Sequence, residues 1–182
     1  MNQSLAVWTV IVLSLITANL PFVLQRRFLV LPWTQAGESR RPAWLQWLVS
    51  LVFFGLLLGL AYLAYLTIGR AYFMASDLAS VALFVGKLVL TVGLVALLLA
   101  LPGRRNQEQS GQKSFLARML ELLVFYGLVG ALGFAFEINM GNLFTQTWEF
   151  YAITLSLFLV LGYPGFVYRY LLRRPKPKRQ PA

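Results

Sequence analysis

The stretch LASVALFVGKLVLTVGLVALLLAL, Leu78 to Leu101, decides what kind of molecule this is. It runs for 24 residues with one charge, Lys87. A helix rising about 1.5 Å per residue needs roughly 20 mostly apolar residues to cross the hydrocarbon of a bilayer. This segment is long enough and oily enough to do so. Outward from it lie four more segments of the same kind: Leu5 to Leu24, Leu45 to Ile68, Leu116 to Ile138 and Phe150 to Tyr168. The first, second and last carry no charge, and the fourth keeps Arg118, Glu121 and Glu137 near its ends. Inside lipid every backbone N–H and C=O must be satisfied within the segment, so these are read as α-helices. The runs do not alternate as the strands of a membrane barrel would. The expected fold is all-α, a polytopic membrane protein with five transmembrane helices.

Composition points the same way. Of 182 residues, 59% are hydrophobic and 12% charged, about half the charged share of an ordinary soluble domain. Lys and Arg number 16 against 6 Asp and Glu, for a formal charge of +10. His and Cys are both absent. That removes the commonest zinc and haem ligands, catalytic dyads built on these residues, and disulfides. No catalytic residues, no metal and no cofactor are expected.

The basic residues sort by loop. Arg26, Arg27, Arg40 and Arg41 follow the first span, Arg104, Arg105, Lys113 and Arg118 lie around the third connection, and Arg169, Arg173, Arg174, Lys176, Lys178 and Arg179 lie at or after the end of the fifth. Only Arg70 lies between the second and third spans, and none lies between the fourth and fifth. The positive-inside rule then places the N-terminus outside and the C-terminus in the cytoplasm, as an odd number of spans requires. A cleaved signal peptide carries its positive charge before the apolar core. Here Arg26 and Arg27 follow it, so the first span is expected to be retained. Trp8, Trp33, Trp44, Trp47 and Trp148 fall near span ends, where amphipathic rings favour the headgroup level.

One domain, residues 1–172, holds the five spans. The tail RRPKPKRQPA, residues 173–182, alternates Pro with basic residues and is read as an extended cytoplasmic segment attracted to anionic lipid. Nothing in it suggests stacking on bases, and no nucleic-acid partner is expected. Within the domain LVFFGL (Leu51 to Leu56) recurs as LVFYGL (Leu123 to Leu128), and at that offset Gly69 meets Gly141 and Gly93 meets Gly165. Spans two and three then read as a diverged copy of spans four and five. Gly55-xxx-Gly59 and the series Gly127, Gly130, Gly133 offer spacing for close helix contact.

Lys87 is the sharpest single feature. It lies nine residues past Leu78, about 14 Å along a helix and close to mid-bilayer. Placing Lys there costs about 2.5–3.5 kcal/mol on insertion scales. Two readings stand side by side: a charge facing a neighbouring subunit or lining an ion path, or one bonded to hydroxyls and carbonyls of its own bundle. Glu121 is separated from the next acid, Glu137, by only 15 residues, Leu122 to Phe136, about 22 Å of helix. With Arg118 three residues before it on the same face, an interfacial Arg118–Glu121 pair is expected, and contact with a partner's loop is the functional alternative. Asn19 and Pro21 lie near the inner end of the first span and Pro164-Gly165 near the inner end of the last. They are read as kinks that aid packing, with a polar notch as the alternative.

At these residues a resemblance emerges. ANLPF (Ala18 to Phe22), LELLV (Leu120 to Val124), WEFYA (Trp148 to Ala152) and PGFVYRYL (Pro164 to Leu171) resemble, in order, an uncharacterised proteobacterial inner-membrane family. The positions carrying the likeness are Asn19, Pro21, Glu121, Trp148, Glu149, Tyr151, Pro164, Gly165, Tyr168 and Arg169. Genes of that family commonly neighbour those for the membrane arm of respiratory NADH–quinone oxidoreductase, complex I. The resemblance implies a non-catalytic accessory or assembly subunit in the bacterial inner membrane, packing on membrane-arm subunits. Family members have three spans, and residues 43–101 of this chain read as an added hairpin that carries Lys87. The alternative is a small independent transporter or proton channel using Lys87.

Overall fold

The structure is a computed structural model, and it describes residues 3–33, 42–70, 78–105, 113–141 and 145–172, with backbone alone at 103–105. Among the described residues there are five helices long and apolar enough to cross a membrane. They are α1 (Gln3–Val23), α2 (Ala43–Gly69), α3 (Leu78–Arg105), α4 (Phe115–Asn139) and α5 (Trp148–Val167), the last extended by a π-helical turn, Tyr168–Leu172. Each begins within two residues of its expected start. The basic tail, residues 173–182, and Asp77 lie outside the described residues.

Successive helices run in opposite directions, and two clusters mark the two ends of the bundle. At one end Phe22 of α1, Phe53 of α2, Leu99 of α3, Leu122 of α4 and Phe158 of α5 gather with Leu29 and Leu31 of the segment after α1. At the other end Ala6, Ile68, Phe84, Leu132 and Phe136 pack together. The first end is the basic one, holding Arg26, Arg27, Lys113, Arg118 and Arg169. α4 is central and packs on both α1 and α2; α5 packs chiefly on α1; α3 packs on α2. Burial follows that order, since 39% of the apolar window of α4 is buried inside the protein but only 11% of that of α3. The remaining surface is oily, and all five tryptophans are exposed.

The internal echo has a structural counterpart. Ser50, Phe53 and Leu57 are the buried face of α2 at this end, and Leu122, Phe125 and Val129, each 72 positions later, are buried on α4. The two helices meet through this repeated face. Both also stop at the paired glycines. Gly69 is the last residue of α2, and Gly141, just past α4, has φ of 79° and donates its N–H to Ile138 O at 2.9 Å. That left-handed conformation is one glycine reaches without strain.

The expected glycine contacts fall elsewhere. A Cβ on Gly55, Gly59, Gly127 or Gly130 would meet no atom within 4 Å, and one on Gly133 would only graze Val10. Close approach is made instead by Gly162 and Gly165 of α5. Their added Cβ atoms would lie 3.1 Å from Ala18 O and 2.8 Å from Asn19 Oδ1.

Candidate functional site

At the basic end the chain leaving α1 does not hang free. It folds back as the segment 24–33, with Arg27, Leu29 and Leu31 buried. A loop tucked beneath a bundle needs partners for its backbone. Three side chains supply them. Glu121 Oε1 of α4 accepts from Phe28 N at 2.9 Å, Lys113 Nζ donates to Arg26 O at 2.9 Å, and Ser50 Oγ of α2 donates to Val30 O at 2.9 Å. Glu121 and Lys113 also form a salt bridge with each other, their side chains 2% and 1% exposed. The Lys113 ammonium lies 5.0 Å from the centre of the Phe28 ring, so the loop clasps it from a second side.

The site is built by local chain geometry. Ser114 caps α4 by accepting from Ala117 N at 3.2 Å, and its extended backbone, ψ 155°, turns Lys113 back along the helix it precedes. Lys113 therefore reaches Glu121 from outside the helix, where eight residues of continuous helix would have separated them by two turns. Burial pulls the Lys113 ammonium below its ordinary value, and the Glu121 carboxylate opposes that. Arg118 stands against the C-terminus of α1, where carbonyls lack N–H partners and the dipole is negative. Arg118 extends one guanidinium nitrogen toward Phe22 O at 3.4 Å, its Cζ lies 5.7 Å from the Tyr170 ring, and its buried Nε has no hydrogen-bond partner among the described residues.

This corrects the expected Arg118–Glu121 pair. Glu121 bonds to Lys113 and the Phe28 amide, while Arg118 turns to the end of α1 and to Tyr170. Helical spacing made Arg118 the obvious partner. The return of residues 24–33, which spacing cannot report, made Lys113 the actual one. Lys113, Ser50 and Arg27 were missed for this reason.

A second polar contact joins the first and last helices. Asn19 Nδ2 donates to Leu161 O at 2.9 Å and to Leu15 O at 2.7 Å, and Asn19 Oδ1 accepts from Gly165 N at 2.7 Å. Leu161 O and Gly165 N are the two groups that would pair within one turn of an undisturbed helix. The carboxamide is inserted between them beside Pro164, and the missing side chains of Gly162 and Gly165 let α1 approach closely enough. Asn19 and Gly165 are thus brought together, with Pro21 buried two residues beyond Asn19 and Glu121 at the same end. Pro164 and Tyr168 are exposed and Arg169 half-buried near this contact, while Trp148, Glu149 and Tyr151 stand exposed at the opposite end.

Between α1, α2, α3 and α4 lies a cavity of about 280 Å³. Among the described residues its polar lining side chains are Thr17 and Thr91, and both hydroxyls bond back to carbonyls of their own helices. Lys87 is not in it. The residue is exposed on α3, and its carbonyl also accepts from Thr91 Oγ1 at 2.8 Å. The expectation that hydroxyls and carbonyls of its own bundle hold the ammonium is not met: among the described residues its side chain makes no hydrogen bond or ion pair.

The described residues thus form five helices long and apolar enough to cross a membrane, with the segment 24–33 pinned at their basic end. The chain belongs to the family described as Protein of unknown function (DUF2818), which it matches over residues 6–103 and 80–173. The matches run through residues 43–101, so the hairpin is not left outside them. They begin 74 residues apart and end 70 apart, on either side of the 72-residue offset of LVFFGL and LVFYGL. No curated protein and no solved structure matches the chain.

Proposed function

We propose that the protein is a non-catalytic accessory or assembly subunit of respiratory complex I, NADH–quinone oxidoreductase. It would lie in the bacterial inner membrane with its N-terminus outside and its basic end in the cytoplasm. The gene neighbourhood of the family it resembles is the ground for naming that complex. The observation that carries the non-catalytic reading is the use made of the buried ionisable groups. Glu121 and Lys113 are consumed in holding the chain's own loop, and the cavity between the helices is lined by carbon and two back-bonded hydroxyls. A proton or ion path needs polar groups in sequence through the membrane. Wide exposed apolar faces on α2, α3 and α5 suit packing against other membrane helices.

The orientation is supported by the gathering of Arg26, Arg27, Lys113, Arg118 and Arg169 at one end, against Arg70 at the other. Anionic lipid is the expected neighbour of that end. Gentle detergent extraction followed by affinity purification is expected to recover NADH–quinone oxidoreductase subunits. Deletion of the gene is expected to lower the amount of fully assembled complex on native gels. Recovery of the chain without those subunits, together with normal assembly in the deletion strain, would refute the proposal.

A further inference from the structure

We infer that the outward face of α3 is a docking surface for a membrane helix of another protein, and that this helix carries an Asp or Glu at mid-membrane depth to meet Lys87. The inference deepens the accessory-subunit reading and rests on it only for the existence of a partner.

Leu83, Lys87, Leu90 and Leu94 follow a spacing of four, three and four, so they form one stripe along the helix. All four are exposed, Leu83 and Leu90 by 67% and 64%. Thr91, Val95 and Leu99 lie along the edge of that stripe nearer the bundle and line the cavity. Lys87 is the tenth residue of a 28-residue helix, about 14 Å from its start, against a hydrocarbon core of about 30 Å. A lysine stem bends toward the interface most readily near a helix end, and Lys87 starts far from either. An ammonium at this depth, exposed and with no partner among the described residues, calls for an opposite charge supplied from outside.

A second copy of this chain cannot supply that charge at that depth. The chain has six acids. Glu38, Asp77 and Glu108 lie in the sequence between helices, Glu137 and Glu149 lie within three residues of helix ends, and Glu121 is buried against Lys113. None stands at the middle of an exposed helix face. Charge complementarity therefore selects a different protein, one whose own spanning helix bears a carboxylate midway.

The test places a photo-crosslinking amino acid at Leu90 in the full-length chain, with a control at Val160 on the exposed face of α5. Crosslinking is done in native membranes of the host, and the joined peptides are mapped by mass spectrometry. The expected product at Leu90 is a transmembrane segment of another protein with Asp or Glu within one turn of the crosslink. Its yield should fall at least tenfold in the Lys87→Gln background, and Lys87→Arg should retain it, with each variant present in the membrane at the parent level. Crosslinks at Leu90 only to lipid, only to a second copy, or to a segment lacking an acid would overturn the inference. So would a yield indifferent to Lys87→Gln. If respiratory subunits co-purify but the Leu90 product ignores Lys87, the inference fails and the accessory reading stands. A Lys87-dependent product from an acid-bearing helix of an unrelated protein would leave the inference standing and remove complex I.

Discussion

Replacing Glu121 with Leu is the most informative single change to the fold. It removes the partner of Lys113, whose side chain is 1% exposed, and the acceptor of the Phe28 amide. Breaking a buried ion pair from one side costs about 3–5 kcal/mol, because the surviving charge stays buried without compensation. An orphaned buried amide adds about 1–3 kcal/mol, although the loop can relax to recover part of this. The expected loss is therefore about 3–5 kcal/mol, a large share of the total stability of an ordinary domain. Lys113→Met should cost a comparable amount, since it strands the carboxylate and frees Arg26 O. The double variant removes both charges at once. It is expected to lose clearly less than the sum of the two singles, because apolar replacement of a whole buried pair is often neutral or better. Unfolding in detergent, followed by tryptophan fluorescence or thermal aggregation, measures all four corners of this cycle. Additive losses, or a Glu121→Leu variant within about 0.5 kcal/mol of the parent, would refute the buried pair as the fastening of the loop.

Other expectations follow from single distances. Gly165→Ala would place a Cβ 2.8 Å from Asn19 Oδ1 and 3.2 Å from Phe22 Cβ, so it should destabilise the chain by about 1–3 kcal/mol in the same assay. Gly127→Ala, with open space around it, should be neutral or slightly stabilising. Asn19→Ala should cost about 0.6–1.7 kcal/mol, the range for polar contacts between membrane helices, since Leu161 O and Gly165 N can pair with each other once the carboxamide is gone. The chain has no cysteine, so single-cysteine labelling reads topology directly. Ser4→Cys and Thr147→Cys should react with an impermeant reagent in intact cells, and Gln25→Cys only after the membrane is opened. Labelling of all three from one side would refute the alternating topology.

The number and bounds of the helices were legible because oil and length alone fix a spanning helix. The repeat was legible too, and its buried positions, Phe53 and Phe125, fall where the echo puts them. What spacing could not tell was which faces meet. Gly55 and Gly127 carry the more familiar signature, yet Gly162 and Gly165 do the packing, because Asn19 needed a close backbone to bond. In Glu121 the sequence named the residue but not its partner. That depended on a connecting segment folding inward, and local pattern holds no record of such a return. Lys87 was conspicuous in the sequence, and only the packing of the helices showed that it is left exposed on α3.

The stitch between Asn19 and Gly165 joins residues 146 positions apart. During synthesis the first helix is made long before the last. Until then its carboxamide can reach Leu15 O on its own helix but has neither Leu161 nor Gly165 to bond. The nascent protein thus carries an unfinished polar spot through most of its synthesis, and the spot closes only when the fifth helix arrives.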